Sequence, residues 1–102
     1  MPRAKIQIPL KQIEDFCRRW KIKEFSLFGS VLREDFRPDS DIDVLVSFAP
    51  EGGITFDNRV EMLDELAEIF GRQVDLVEKD AIRNPFRRHD ILTTKEVVYA
   101  RL

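Results

Sequence analysis

Three carboxylates and a Gly-Ser pair are the residues of this chain whose types and spacing could do chemistry. Gly29-Ser30 is followed after ten residues by Asp41-Ile42-Asp43, and a third, buried-looking carboxylate, Asp75, interrupts the run Gln73-Val74-Asp75-Leu76-Val77. Acids gathered beside a Gly-Ser turn make a site for metal ions and a triphosphate. The stretch 41–48 alternates as a half-buried strand does, with Ile42, Val44, Val46 and Phe48 on one face. Asp41 and Asp43 then project together from the other. Two carboxylates held so close repel one another and titrate as a coupled pair unless a cation lies between them. That spacing calls for a hard metal with oxygen ligands, and magnesium, which keeps substrate phosphates among its ligands, is the natural candidate. Asp75 would cost several kcal/mol if it were buried without a partner. The economical arrangement places its strand beside the first, so that Asp75 joins the pair.

The Gly-Ser half rests on backbone chemistry. Residues 24–28 read as a strand and 31–36 as the start of a short helix, which puts Gly29-Ser30 at a strand-to-helix turn. Glycine allows close approach of a ligand to the backbone, and a helix N-terminus offers free N–H groups to phosphate. Ser30 adds a hydroxyl donor, and Arg33, one turn on, adds positive charge. An EF-hand reading of Asp39, Asp41 and Asp43 fails, because the sixth position is Val44 where glycine is required and the twelfth is Pro50 where glutamate is required. A lone Gly-Ser is an ordinary turn and a lone Asp-x-Asp an ordinary strand end. Their combination with Asp75 favours an active site.

Taken together, Leu27-Phe28-Gly29-Ser30, Arg33, Asp39 to Val46, Gly71 to Val77, Arg88-His89-Asp90-Ile91-Leu92 and Val98-Tyr99 resemble the minimal nucleotidyltransferases of the polymerase-beta-like superfamily, over nearly the whole chain. Glu34 departs from the pattern, standing where relatives often carry a glycine after the arginine. The resemblance implies the nucleotidyltransferase fold, an α+β arrangement of a small mixed sheet flanked by helices. It implies two Mg2+ ions held by Asp41, Asp43 and Asp75, ATP as substrate, and Gly29, Ser30 and Arg33 as the nucleotide-binding residues. Larger relatives recognise their acceptor with further domains. Minimal members are similar to the antitoxin halves of two-gene modules, which implies transfer of AMP to a tyrosine of a helical HEPN ribonuclease toxin. The alternatives are an idle nucleotide-binding antitoxin that acts by contact, or transfer to a small molecule or an RNA end.

The elements that must position these residues follow from periodicity. Pro9 opens a helix to about Lys21 with Leu10, Ile13, Phe16, Cys17 and Trp20 facing inward. Pro50-Glu51-Gly52-Gly53 is a loop. Phe56, Val60, Leu63, Leu66, Ala67 and Phe70 then recur at helical spacing until Gly71 closes the helix, and this stripe reads as core. Asn84-Pro85 reads as a cap and first residue of a helix through Leu92, followed by a strand around 97–100. Arg83, Arg87, Arg88 and His89 form a small cationic cluster, read as a solvated helix face, with contact to a nucleotide phosphate or an acidic partner as the alternative. His89 has no second histidine or cysteine with which to share a metal. Tyr99 reads as packed.

With 102 residues, 43% hydrophobic and 35% charged, the chain fits one globular domain over residues 1–102. A net charge of −2 lacks the basic excess of a dedicated nucleic-acid binder. No apolar run reaches a membrane span, and Met1-Pro2-Arg3-Ala4-Lys5 lacks the apolar stretch of a signal peptide, so the expectation is cytoplasmic, without membrane or direct nucleic-acid contact. The single cysteine, Cys17, excludes a disulfide framework and reads as a packed thiol. Oligomeric state is left open by an exposed edge strand.

Overall fold

A computed structural model of the chain describes residues 6–101. Met1 to Lys5, Leu102 and the side chain of Phe56 lie outside the described residues, and with them the reading of the N-terminus and of Phe56 as core. The described chain runs α1 (Leu10–Trp20), β1 (Ile22–Phe28), a 3-10 turn (Gly29–Leu32), β2 (Ile42–Phe48), α2 (Phe56–Phe70), β3 (Val74–Glu78), a second 3-10 turn (Lys79–Ala81), α3 (Pro85–Thr94) and β4 (Glu96–Ala100). The strands form one mixed sheet in the order β3-β2-β1-β4. β1 pairs antiparallel with both β2 and β4, whereas β3 lies parallel to β2, reached through α2. This is the expected small mixed sheet flanked by helices, with two open edges instead of one.

The two faces of the sheet are packed differently. Ile13, Phe16 and Cys17 of α1 and Met62 and Leu66 of α2 pack against Phe25, Leu27, Val44, Val46 and Leu76 in the larger core. Each such side chain removed from water contributes roughly 1.5–3 kcal/mol. On the other face a smaller cluster joins Phe28 and Leu45 to Ile82 and to Ile91 of α3. The alternation of β2 sends Ile42, Val44 and Val46 to the first face and Asp43 and Leu45 to the second. β2 is therefore buried on both sides where it meets Leu45, more than the half-buried strand the alternation suggested.

Local signals account for the boundaries. Lys21 ends α1 in the left-handed conformation, and Gly71 does the same for α2. Thr55 caps α2 in a reciprocal capping box with Asn58, and the Asn84 carboxamide accepts from the Phe86 and Arg87 amides at the start of α3. Two features of the inward stripes need correction. Leu10 and Val60 are exposed, because α1 docks through Ile13, Phe16 and Cys17, and α2 docks through Met62 and Leu66. The phase of α2 is held by Arg59, whose guanidinium donates to the Leu76 carbonyl at 2.6 Å. Tyr99 is partly buried against the larger core, and Cys17 is fully buried, its thiol pushed up to about 12 by desolvation and then by the charge of Glu14.

Candidate active site

Asp43 stands directly opposite Asp75 in the parallel register of β2 and β3. Side chains of in-register neighbours on parallel strands share a face, so both carboxylates rise on the α3 side of the sheet. Asp41 lies just before β2, whose first residue, Ile42, donates its amide to the Gln73 carbonyl at 3.0 Å and so ties the starts of the two strands together. Asp43 is half-buried; Asp41 and Asp75 are exposed. The exposure of Asp75 corrects the expectation of a buried-looking acid. β3 is the sheet edge, and the apolar neighbours that made its run look interior, Val74 and Leu76, turn to the opposite face.

Burial holds the Asp43 carboxyl above its ordinary range, and the negative charges of Asp75 and then Asp41 push it further the same way. The positive charges of Arg33 and Arg87 act against them. Both other acids of the trio are thus felt at Asp43, and so are two cations from separate elements.

Gly29 seals this arrangement from the end of β1. Its φ is +76°, and a Cβ built on it would collide with Oδ2 of Asp43. Only glycine fits both requirements. The helix expected over 31–36 is instead a single 3-10 turn that stops at Leu32: the Arg33 amide closes onto the Ser30 carbonyl at 2.9 Å, and Arg33 itself is extended. The buried Val31 anchors the turn, and the chain must then double back to begin β2. Arg33 reaches the site from that position while its Nε pairs with Asp35 at 3.2 Å. Arg72 steadies the return loop: its guanidinium stacks 4.8 Å from the Phe36 ring and donates to the carbonyls of Arg37 and Ser40, the residue before Asp41.

A cleft of about 430 Å³ opens beside Gly29, floored by Phe28, Leu32 and Ile91 and bordered by Arg33 and Arg87. Of the cationic cluster near the start of α3, Arg88 turns away to donate to the Lys79 carbonyl at 2.7 Å, and Arg87 alone lines the cleft. The solvated-face reading is therefore incomplete for Arg87. Its signal was in the sequence: Arg87 precedes the buried Ile91 by four residues, one helical turn, and so shares its face. A groove of about 480 Å³ between α1 and α2 lies on the other side of the sheet, where the cation Arg19 is already paired with Glu61 and Glu65.

Among the described residues, no three acidic, imidazole or thiol groups converge closely enough to enclose a metal ion unaided. The carboxylate set is open. Openness suits magnesium, which is commonly held by one or two carboxylates and completes its shell with water and substrate phosphates. The raised pKa of Asp43 identifies the charge that such a cation would neutralise.

The family model described as nucleotidyltransferase domain matches residues 10–98. A protein of Thermococcus cleftensis named protein adenylyltransferase MntA is 31% identical over 86 residues, covering 84% of this chain and 82% of its own. Among solved structures, a toxin-antitoxin crystal structure with AMP-PNP superposes with a TM-score of 0.73 at 23% identity, over 91% of this chain and 74% of that one. A complex of a tri-AMPylated Shewanella oneidensis HEPN toxin with an MNT antitoxin gives 0.66 at 23% identity, over 90% and 70%. At such identities the two structures speak for the fold.

Proposed function

The chain belongs to the nucleotidyltransferase domain family, and from that premise we propose that it is an antitoxin-type adenylyltransferase, moving AMP from ATP to a tyrosine hydroxyl of a cognate HEPN ribonuclease and so silencing it. The observation that carries the reading is the in-register placement of Asp43 against Asp75, with Asp41 adjacent and Gly29 pressed onto Asp43. The protein adenylyltransferase relative and the AMPylated toxin complex support the acceptor, and the complex with AMP-PNP supports ATP as donor. In this reading the chain acts as one catalytic domain, and ATP as donor supports a cytoplasmic location.

Asp41, Asp43 and Asp75 would hold magnesium, two ions in our reading, which when bound supplies positive charge to the triphosphate oxygens and eases ionisation of the acceptor hydroxyl. The remaining work falls to the chain. Gly29, lacking a Cβ, lets phosphate approach the turn, and the Ser30 hydroxyl donates to the leaving phosphates. Arg33 adds charge at the same end. Asp75, exposed at the sheet edge, faces the side from which a separate protein can arrive, and its carboxylate takes the hydroxyl proton. The tyrosine oxygen bonds to the α-phosphorus as the bond to the α,β-bridging oxygen breaks, and pyrophosphate leaves in line.

The test is intact-mass spectrometry of the HEPN partner co-expressed with this chain. Wild type is expected to add one or more AMP masses, and Asp41→Asn with Asp43→Asn to leave the partner at its unmodified mass. An unmodified partner held in a stable complex by both forms would replace transfer with neutralisation by contact.

A further inference from the structure

We propose that Arg87 is a triphosphate-binding residue, contributing from α3 the charge that Arg33 contributes from the 3-10 turn. The inference rests on the reading of the cleft beside Gly29 as the nucleotide site, and adds a residue that the Gly-Ser-x10-Asp-x-Asp pattern does not contain.

Four observations converge on it. Arg87 borders the same cleft as Gly29 and Arg33. It is near enough for its charge to be felt at Asp43. Its backbone is fixed, since its amide donates to the Asn84 side chain at 3.2 Å and Ile91, one turn later, is 4% exposed against the sheet. Finally, among the described residues its guanidinium has no hydrogen-bond or ion-pair partner, whereas Arg33 is paired with Asp35 and Arg88 with a carbonyl. A helix face pinned to the sheet thus presents a planar, five-donor cation without a hydrogen-bond partner to a cavity bordered by Gly29 and Arg33.

Asp90 borders the cleft too, one turn further along α3. Its negative charge disfavours phosphate at that end and leaves the Arg87 end as the place for the anionic part of the nucleotide. The ligand chemistry is therefore a triphosphate, held across the cleft mouth by guanidinium groups from two elements, with the apolar floor of Leu32 and Ile91 beneath.

The test measures binding of magnesium α,β-methylene-ATP, which cannot transfer AMP, and of AMP, to wild type, Arg87→Ala, Arg87→Lys and Arg83→Ala. Arg87→Ala is expected to weaken the triphosphate about ten- to a hundredfold, the range for charge-assisted hydrogen bonds, while changing AMP affinity less than about twofold. Arg87→Lys should recover part of the loss, and Arg83→Ala, outside the cleft, should match wild type. Unchanged triphosphate affinity in Arg87→Ala, or an equal fall for AMP and triphosphate, would overturn the proposal. Wild type that binds neither ligand would sink the nucleotide reading and this inference with it. Selective loss in Arg87→Ala together with an unmodified HEPN partner would uphold the inference and count against the transfer reaction.

Discussion

Two carboxylates rise from the α3 side of this sheet, one strand apart, and their surroundings treat them in opposite ways. Glu24 on β1 accepts hydrogen bonds from Lys95 and, at 3.4 Å, from the Ser26 hydroxyl, and the Lys95 bond in the first place holds its carboxyl below the ordinary range despite partial burial. Asp43 on β2 is buried further and faces two other acids, so its carboxyl is pushed up. The first group stabilises the fold at neutral pH. The second costs stability in the absence of a ligand, a cost that the proposed cation and triphosphate would relieve. Local electrostatic frustration beside a close-fitting glycine thus separates the carboxylate of the proposed site from the structural one.

This contrast can be broken first at Gly29. Gly29→Ala places a methyl group on Asp43 Oδ2 and forces a side chain into a positive φ. AMP transfer should fall about a hundredfold, as a misplaced reacting group commonly does, and unfolding free energy by about 1–3 kcal/mol, read from urea melts. A wild-type rate would show that the close approach is not needed.

Lys95→Met tests Glu24 on the structural side. It leaves Glu24 without its strongest donor and should cost about 1–3 kcal/mol at neutral pH. Because the folded pKa of Glu24 is depressed, its stabilisation is present above the unfolded value and lost as pH falls through the folded one. The variant and wild type should therefore converge in acid, whereas a loss independent of pH would assign the effect to packing.

The smallest effect has the reverse sign. Asp43→Asn should stabilise the ligand-free protein by about 0.5–2 kcal/mol, the usual gain from relieving a functional site. A raised folded pKa means that the cost is present at neutral pH and fades as pH falls through that value. The gain should shrink accordingly in acid melts.

Particular residues show how much of this the sequence disclosed. The alternation over 41–48 sent Asp43 to the face opposite Ile42, Val44 and Val46, as observed, although Asp41 lies just before the strand and Leu45 is buried on the Asp43 face; Asn84-Pro85 and Gly71 marked helix ends, because period and capping are local properties. Asp75 was found but its exposure was not, since a run of apolar neighbours does not reveal which strand becomes the edge. Of the α2 stripe, Leu63, Leu66 and Phe70 do reach the core, and Val60 does not, next to Arg59 whose guanidinium makes a long-range contact with the Leu76 carbonyl. The helix predicted after Ser30 shrank to a turn for a similar reason: Arg72, distant in sequence, grips the loop that follows. Arg87 was hidden among look-alike cations until its register with Ile91 singled it out.

The most direct test of the account is a pair of thermal melts of wild type and Asp43→Asn, without ligand and with saturating magnesium α,β-methylene-ATP. The order is expected to cross: Asp43→Asn melts higher alone, and wild type melts higher with the ligand, because only the ionised Asp43 is relieved by binding. Wild type melting higher in both conditions, or gaining no more from the ligand than the variant does, would contradict it.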